Sequence, residues 1–409
     1  MGGTRPRRRA DLADHPIHDD VIVYDPVARQ THVLNPTAAT IWERCDGELT
    51  IDALVAGVAE DYQLDTAAIA DDISEAIRGF SELGLLEGTD PPEAQAPPPG
   101  PPSASDEGLP DPETLDLPHR SPLLAVTGGF VRYHADSPAV IHYLSQVLGS
   151  LTADDDPGPD AEVVDIRILG PDPDLGLTTH AVWVGDQVIG RPSGDRGVAA
   201  MLLWDLNRLA ITLGPPRLSL HAGAAVRGSG AGRRIAVLPA PPDSGKSTLT
   251  LGLVRSGLAY VGDEAFGLAL DDQRVIPYLK PLTLDPGSWP LFPELEPRYD
   301  DETSEFVHGK WHLDVRGVGG GVADDIGALG LDDVAVVVLP RYEEGAPTQL
   351  ERLPASELAV ALAENAFNLA ACGQPGVAVL ADLAASAQGW RLVSGDLDDA
   401  VAAVRDLLG

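Results

Sequence analysis

The chain has 409 residues, enough for two or three domains of ordinary size. It carries 28 basic against 63 acidic residues, a formal charge of −35, and a field of that sign argues against nucleic acid or an anionic membrane surface as partner. Two cysteines, Cys45 and Cys372, are too few for a disulfide framework or a four-ligand zinc site. The opening "MGGTRPRRRADLADHP" has no apolar segment behind its arginines, and no uninterrupted apolar run reaches the roughly 20 residues of a membrane span. A cytoplasmic protein is expected.

The arginines at positions 5 and 7 to 9 read as a solvated tail. After them "VIVYDPVARQTHVLN" alternates, giving two short strands with Asp25–Gln30 as the connection. In "NPTAATIWERCDG", Asn35 can cap a helix, Pro36 can take its first position and Gly47 can end it. A second helix fits Thr50 to about Tyr62. A third runs from about Thr66 to Leu83, with Ile69, Ile73, Ile77 and Phe80 at spacings of three and four. A hairpin and three helices make a winged-helix-like α+β plan, which often binds DNA. Charge decides against that: Asp11 to Gly88 holds 17 acidic and three basic residues, and DNA affinity rests mainly on phosphate neutralisation.

Within this segment, "HVLNPTAATIWERCDGELTIDALVAGVAEDY" followed by "FSELGLLEG" resembles the PqqD family of peptide-recognition elements. The resemblance implies that an extended leader peptide adds a strand to the hairpin edge at Thr31, His32, Val33 and Leu34. The peptide would lie against the third helix at Asp72, Glu75, Ala76 and Gly79. Such β-augmentation takes affinity from main-chain bonds and selectivity from alternating pockets. The acidity of the segment suits a leader with basic character. A packing module that binds no peptide is the alternative.

Next, "PPEAQAPPPGPPSASDEGLPDPETLDLP" holds ten prolines in 28 residues and reads as an extended tether. The expected division is therefore 1–88, a linker at 89–119, and a larger domain at 120–409.

In the larger domain "RRIAVL" reads as a buried strand and "KSTLTLGLVRSG" as a helix, with Leu249, Leu253 and Val254 on one face and Gly257 as the stop. Between them lies "PAPPDSGKST", the second half of a G-x-x-x-x-G-K-[ST] phosphate loop. Such a loop holds phosphates with inward-pointing amides, lysine and a metal-bound hydroxyl. Ser244, Gly245, Lys246, Ser247 and Thr248 are its candidate binding residues. Two departures stand out. Ala240 replaces the first glycine, tolerable only at negative φ. Asp243 adds a negative charge, whose repulsion shrinks if it points to water. Asp263 and Glu264 follow the strand Leu258 to Val261, where a second hold on Mg²⁺ belongs. His221 lies in "LSLHAGAAV", read as the preceding strand. Lys280 and Arg341 are the leading further cations for phosphate, ahead of Lys310 and Arg316. The glycine-rich "RGVGGGVADDIGALG" reads as a mobile loop.

Together with "VIPYLKPLTLD" and "WRLVSGDLDDAVAAVRDLL", these segments resemble the HPr-kinase-like family, in its HPr-kinase-related branch. The resemblance implies an α/β kinase domain with an HPr-kinase/PEP-carboxykinase-like P-loop core, and ATP and Mg²⁺ as cofactors. By the same resemblance Asp263 acts as base toward a serine hydroxyl, Glu264 helps Ser247 and Asp263 hold metal, and His221 lies near the transferred phosphoryl group. The implied reaction is phosphorylation of a serine or threonine on a precursor peptide, with other peptide-modifying enzymes as further partners and self-association plausible. Two rivals stand beside it: a nucleotide-gated peptide chaperone without catalysis, and a regulatory kinase acting on a folded carrier protein.

Overall fold

The computed structural model describes residues 4–89, 103–153, 158, 161–295, 306–307, 309–323 and 325–409. The expected linker residues 90–102 lie outside them.

The chain opens with β1 (Ala13–Ile17), β2 (Asp20–Asp25) and β3 (Gln30–Leu34), an antiparallel sheet in that order. It continues with α1 (Pro36–Glu43), α2 (Ile51–Tyr62) and α3 (Thr66–Glu82). Each helix starts where a short polar side chain takes an orphan amide: Asn35 from Ala38, Thr50 from Ala53 and Asp65 from Ala67. Val21, Val23 and Leu34 of the sheet pack with Trp42, Leu54, Ile73, Ile77 and Phe80 in one core.

The basic tail is only partly solvated: Arg5 and Arg7 are exposed as expected, but Arg8 and Arg9 are built into the fold. Arg9 pairs at 2.8 Å with Asp25, which is fully buried and also accepts from the amides of Val27 and Ala28. Arg8 reaches Asp14 at 3.1 Å and lies over the Trp42 ring. A buried carboxylate needs such partners, so these arginines staple the small fold together.

Further strands follow: β4 (His119–Arg120), β5 (Leu124–Val126), β6 (Gly129–Ala135), then α4 (Pro138–Val147), β7 (Val163–Leu169), β8 (Ala181–Val184) and β9 (Gln187–Gly190). They form a sheet of order β4-β6-β7-β8-β9, with β5 also on β6. The expected tether ends early: Ala104, Leu109 and Leu115 pack against Leu177, Trp183 and Val188 of this lobe.

After α5 (Gly194–Thr212) come β10 (Arg217–Leu220), β11 (Ala222–Arg227), β12 (Arg234–Pro239), α6 (Lys246–Arg255), β13 (Ala259–Gly262), β14 (Phe266–Ala269) and β15 (Val275–Ile276). Then follow β16 (Leu282–Leu284), β17 (Phe306–Val307), β18 (Lys310–Leu313), β19 (Val334–Tyr342), β20 (Gln349–Leu353), α7 (Ala355–Glu364), α8 (Leu369–Ser386), β21 (Gln388–Ser394) and α9 (Leu397–Leu407). The central mixed sheet runs β13-β11-β12-β19-β21-β20, with β12 and β19 parallel. Leu249 and Leu253 of α6 share a core with Ala236, Leu238, Val336 and Val401.

Two expectations fail here for packing reasons. His221 sits at the break between β10 and β11, which join different sheets, and so not within a strand. The glycine-rich segment is packed: a Cβ on Gly319 would lie 2.0 Å from the Val254 carbonyl oxygen, and one on Gly320 2.2 Å from that of Leu258. Its amides and carbonyls are used in the same place, Gly320 N–H to Val254 at 3.0 Å and Tyr260 N–H to Gly321 at 2.7 Å.

The chain divides into two compact units, residues 1–97 with 352–389, and residues 98–351 with 390–409. The first is larger than the expected 1–88 because α7 packs on β3 and α8 on β1. Helix α8 is apolar and long enough, by length and composition, to cross a membrane. In this fold it is kinked at Gly373 (φ 56°, ψ −142°), just before Pro375, and lies against the sheet.

Candidate functional site

Strand β12 delivers the chain into the loop Ala240–Gly245, and α6 leaves it. Ala240 is buried and is not among the residues with positive φ, so its methyl carries no backbone strain. Asp243 does turn left-handed, at φ 62°, a conformation aspartate visits more readily than most residues. Its residue is exposed, so water screens the added charge. Gly245 follows at φ 88° and caps α6. That turn leaves the first amides of α6 without intrahelical partners, at the positive end of its dipole.

Lys246 is buried, and its ammonium donates to the Asp263 carbonyl and lies 3.7 Å from Asp263 Oδ1. Ser247, next along α6, also acts on this carboxylate. Burial pushes the Asp263 carboxyl up, against the opposing pull of Lys246 and Ser247. Two buried polar atoms lack a hydrogen-bond partner here, Asp263 Oδ1 and Ser244 Oγ.

Glu264 differs from its neighbour. Burial would raise it, but Lys280 at 3.1 Å, Lys246 and His221 hold it down to about 2. Lys280 is itself buried and donates to Asn207 Oδ1 at 3.2 Å, which also accepts from Tyr278 OH at 3.2 Å. His221 Nε2 stands 3.9 Å from Glu264, and burial with Lys246 and Lys280 lowers the imidazole to about 4. It is neutral at physiological pH.

These groups surround a cavity of about 890 Å³, within the range of ligand pockets. The loop residues Pro241 to Leu249 form one wall; Glu264, Lys280 and His221 stand on another. Asp263 is not on the wall: it sits beneath Lys246 and Ser247, only 1% exposed. Arg341 lines the cavity, but its side chain is 72% exposed and pairs with Glu343. Lys310 lines it too, beside Asp285 at 3.1 Å, whereas Arg316 does not and pairs with Asp314. Asn207, Tyr278 and Trp204 had no motif to mark them, although Tyr278 stands two residues before Lys280.

The residues fit a nucleotide with magnesium. Ser244 and Asp263 each have hydrogen-bonding capacity left over in a buried place. Among the described residues no cluster of three or more His, Cys, Asp or Glu forms a metal cage. Mg²⁺ needs none, since it keeps waters and takes one or two carboxylates plus phosphate oxygens.

In the first unit, the register pairs Tyr24 with Thr31, Val23 with His32, Ile22 with Val33 and Val21 with Leu34. Side chains alternate across a sheet, so His32 and Leu34 share the core face with Val21 and Val23, while Thr31 and Val33 face the other way. Leu34 is buried in the core; Val33 is 40% exposed. On α3, Asp72 and Glu75 are exposed, and Ala76 and Gly79 half-buried. Cys45 is buried, its thiol pushed up to about 11 by burial, and Cys372 is half-buried.

Residues 20–86 match the family model described as coenzyme PQQ synthesis protein D (PqqD). A solved structure described as "TbiB1 in Complex with the TbiA(beta) Leader Peptide" is similar at 18% identity and a TM-score of 0.19, over 20% of this chain and 98% of that one. No curated protein matches.

Proposed function

We propose that the chain is an ATP-dependent kinase acting on a serine hydroxyl, less favourably threonine, of a ribosomally made precursor peptide whose leader is held by the first unit. The observation that carries the kinase reading is the turn at Asp243–Gly245, which sets Lys246 and Ser247 on the wall of a large cavity with Asp263 directly beneath Lys246. The PqqD match at residues 20–86 supports the peptide reading.

In this reading the loop amides, Ser244, Lys246 and Thr248 hold the phosphates, and Ser247 with Asp263 holds the metal. Bound ATP and Mg²⁺ would supply the transferable phosphoryl group and neutralise its charge. The two acids divide the work because their surroundings push them apart. Asp263, raised by burial, is the stronger base; it lies beneath Lys246 and Ser247, so it takes the hydroxyl proton on Oδ1 only after these two turn to the phosphates and metal and uncover it. Glu264 stays ionised and holds Lys280 toward the cavity. His221, uncharged, is a hydrogen-bonding neighbour that adds no repulsion to bound metal. Because leader and kinase units share one chain, leader binding raises the local concentration of the acceptor, to about the millimolar range for a suitable span.

The test is transfer of radiolabelled phosphate from ATP to a precursor peptide, with calorimetry of ATP binding alongside. Wild type should transfer label; Asp263→Asn should bind ATP and transfer none, while Glu264→Gln should retain weak activity. Nucleotide binding without transfer in wild type would replace the kinase reading with nucleotide-gated peptide delivery.

A further inference from the structure

The two edges of the β1-β2-β3 sheet are not equivalent. At the outer edge of β1, the Gln374 side-chain amide donates to the Asp14 carbonyl at 2.6 Å and accepts from the Asp14 amide at 3.1 Å. One side-chain amide thus copies the peptide unit of a neighbouring strand and closes that edge. The kink at Gly373 and Pro375 lets the chain present Gln374 there. Strand β3 pairs with β2 and has no other ladder partner among the described residues. Its outer row of backbone groups is the one left to accept a strand.

Both faces of this sheet are covered. Val21, Val23 and Leu34 point into the core with α1–α3. Ile22 and Tyr24 point the opposite way and are nevertheless only 1% and 5% exposed, because α7 packs on β3 and β2, and α8 on β1 and β2. At the open edge each face ends in an unfinished contact: His32 Nε2, on the α1–α3 side, is buried without a partner, and Val33, on the α7 side, is 40% exposed.

We propose that residues 352–389 make the peptide slot two-sided, so that its occupant is an extended segment with apolar residues at consecutive positions and basic residues at its flanks. This rests on the leader-binding reading. A strand added to a sheet with one open face alternates apolar and polar residues, whereas a strand covered on both faces becomes a continuous apolar run. The second cover comes from α7, which lies outside the segment matching the PqqD family at 20–86. The basic flanks answer the exposed carboxylates Asp71, Asp72 and Glu75 of α3.

A displayed library of random ten-residue peptides panned against the full-length chain tests this, with fluorescence polarisation of enriched peptides on wild type, Val33→Asp and Val33→Pro. The expected consensus has two or more adjacent apolar residues between Lys or Arg. Val33→Asp should weaken binding by about tenfold or more without lowering the melting temperature, and Val33→Pro should abolish it. A strictly alternating consensus indifferent to Val33→Asp overturns the two-sided slot while leaving strand addition on β3 intact. Enriched peptides indifferent to Val33→Pro, or no enrichment at all, overturn the slot and leader binding at β3 together.

Discussion

Lys246 is tied to Asp263 twice, its ammonium donating to the Asp263 backbone carbonyl and standing 3.7 Å from the carboxylate. Both side chains are buried, so each is the other's main compensation for lost water. Lys246→Met leaves Asp263 buried beside Glu264 with Lys280 as the remaining nearby cation. We expect ATP affinity to fall about a hundredfold or more and stability to drop by about 3 kcal/mol, the cost of breaking a buried pair. Calorimetric titration and thermal melting measure the two separately.

Asp243→Gly should act in the opposite direction. The residue is left-handed at φ 62°, where glycine avoids a cost of about 1–2 kcal/mol, and the substitution removes a negative charge next to the loop. Melting temperature should rise by a few degrees and ATP should bind several-fold more tightly. Ala240→Gly should give neither gain, because Ala240 is not among the positive-φ residues.

Acid should destabilise the second unit in two stages. His221 is lowered to about 4 from 6.5, so between those values the unfolded chain binds a proton that the folded chain refuses. Stability therefore falls as pH drops from 6.5 toward 4, by up to about 3 kcal/mol. Glu264, lowered to about 2 from 4.5, adds stability above 4.5 that is lost as pH falls further toward 2. Denaturant melts across this range should show both stages, and His221→Gln should remove the first.

Removing residues 1–88 should not yield an active shortened kinase. Helix α7 packs on β3 and β2, and α8 on β1 and β2, so both helices would lose the sheet they cover. We expect aggregation, read by light scattering. The informative variant for leader dependence is Val33→Pro in the full chain, which removes an edge donor and should lower transfer to a full precursor while leaving a leaderless peptide unaffected.

Gly320→Ala tests the packing of the glycine-rich segment. A Cβ there meets the Leu258 carbonyl oxygen at 2.2 Å and the Gly257 oxygen at 2.8 Å, both backbone. Destabilisation of about 1–3 kcal/mol is expected in denaturant unfolding; a neutral result would mean that the segment can move away from the turn at Gly257 and Leu258.

Local chemistry determined much of this protein. Asn35 announces its helix, and Thr50 and Asp65 cap theirs in the same way, because short polar side chains satisfy orphan amides wherever the rest of the chain goes. The strand–loop–helix around Lys246 and the adjoining acids were legible for the same reason: a few neighbouring residues specify the turn, and Gly245 suits its left-handed angle. Tertiary structure alone decided what depends on distant partners. No local pattern links Arg9 to Asp25, or Lys280 to Asn207, 73 residues away. Nor does composition reveal that Gly319 and Gly320 are small so that backbone can meet backbone, or that α7 and α8 cover a sheet made more than 300 residues earlier. Burial then set the chemistry, since water's withdrawal from adjacent carboxylates raised Asp263 while Lys280 held Glu264 down.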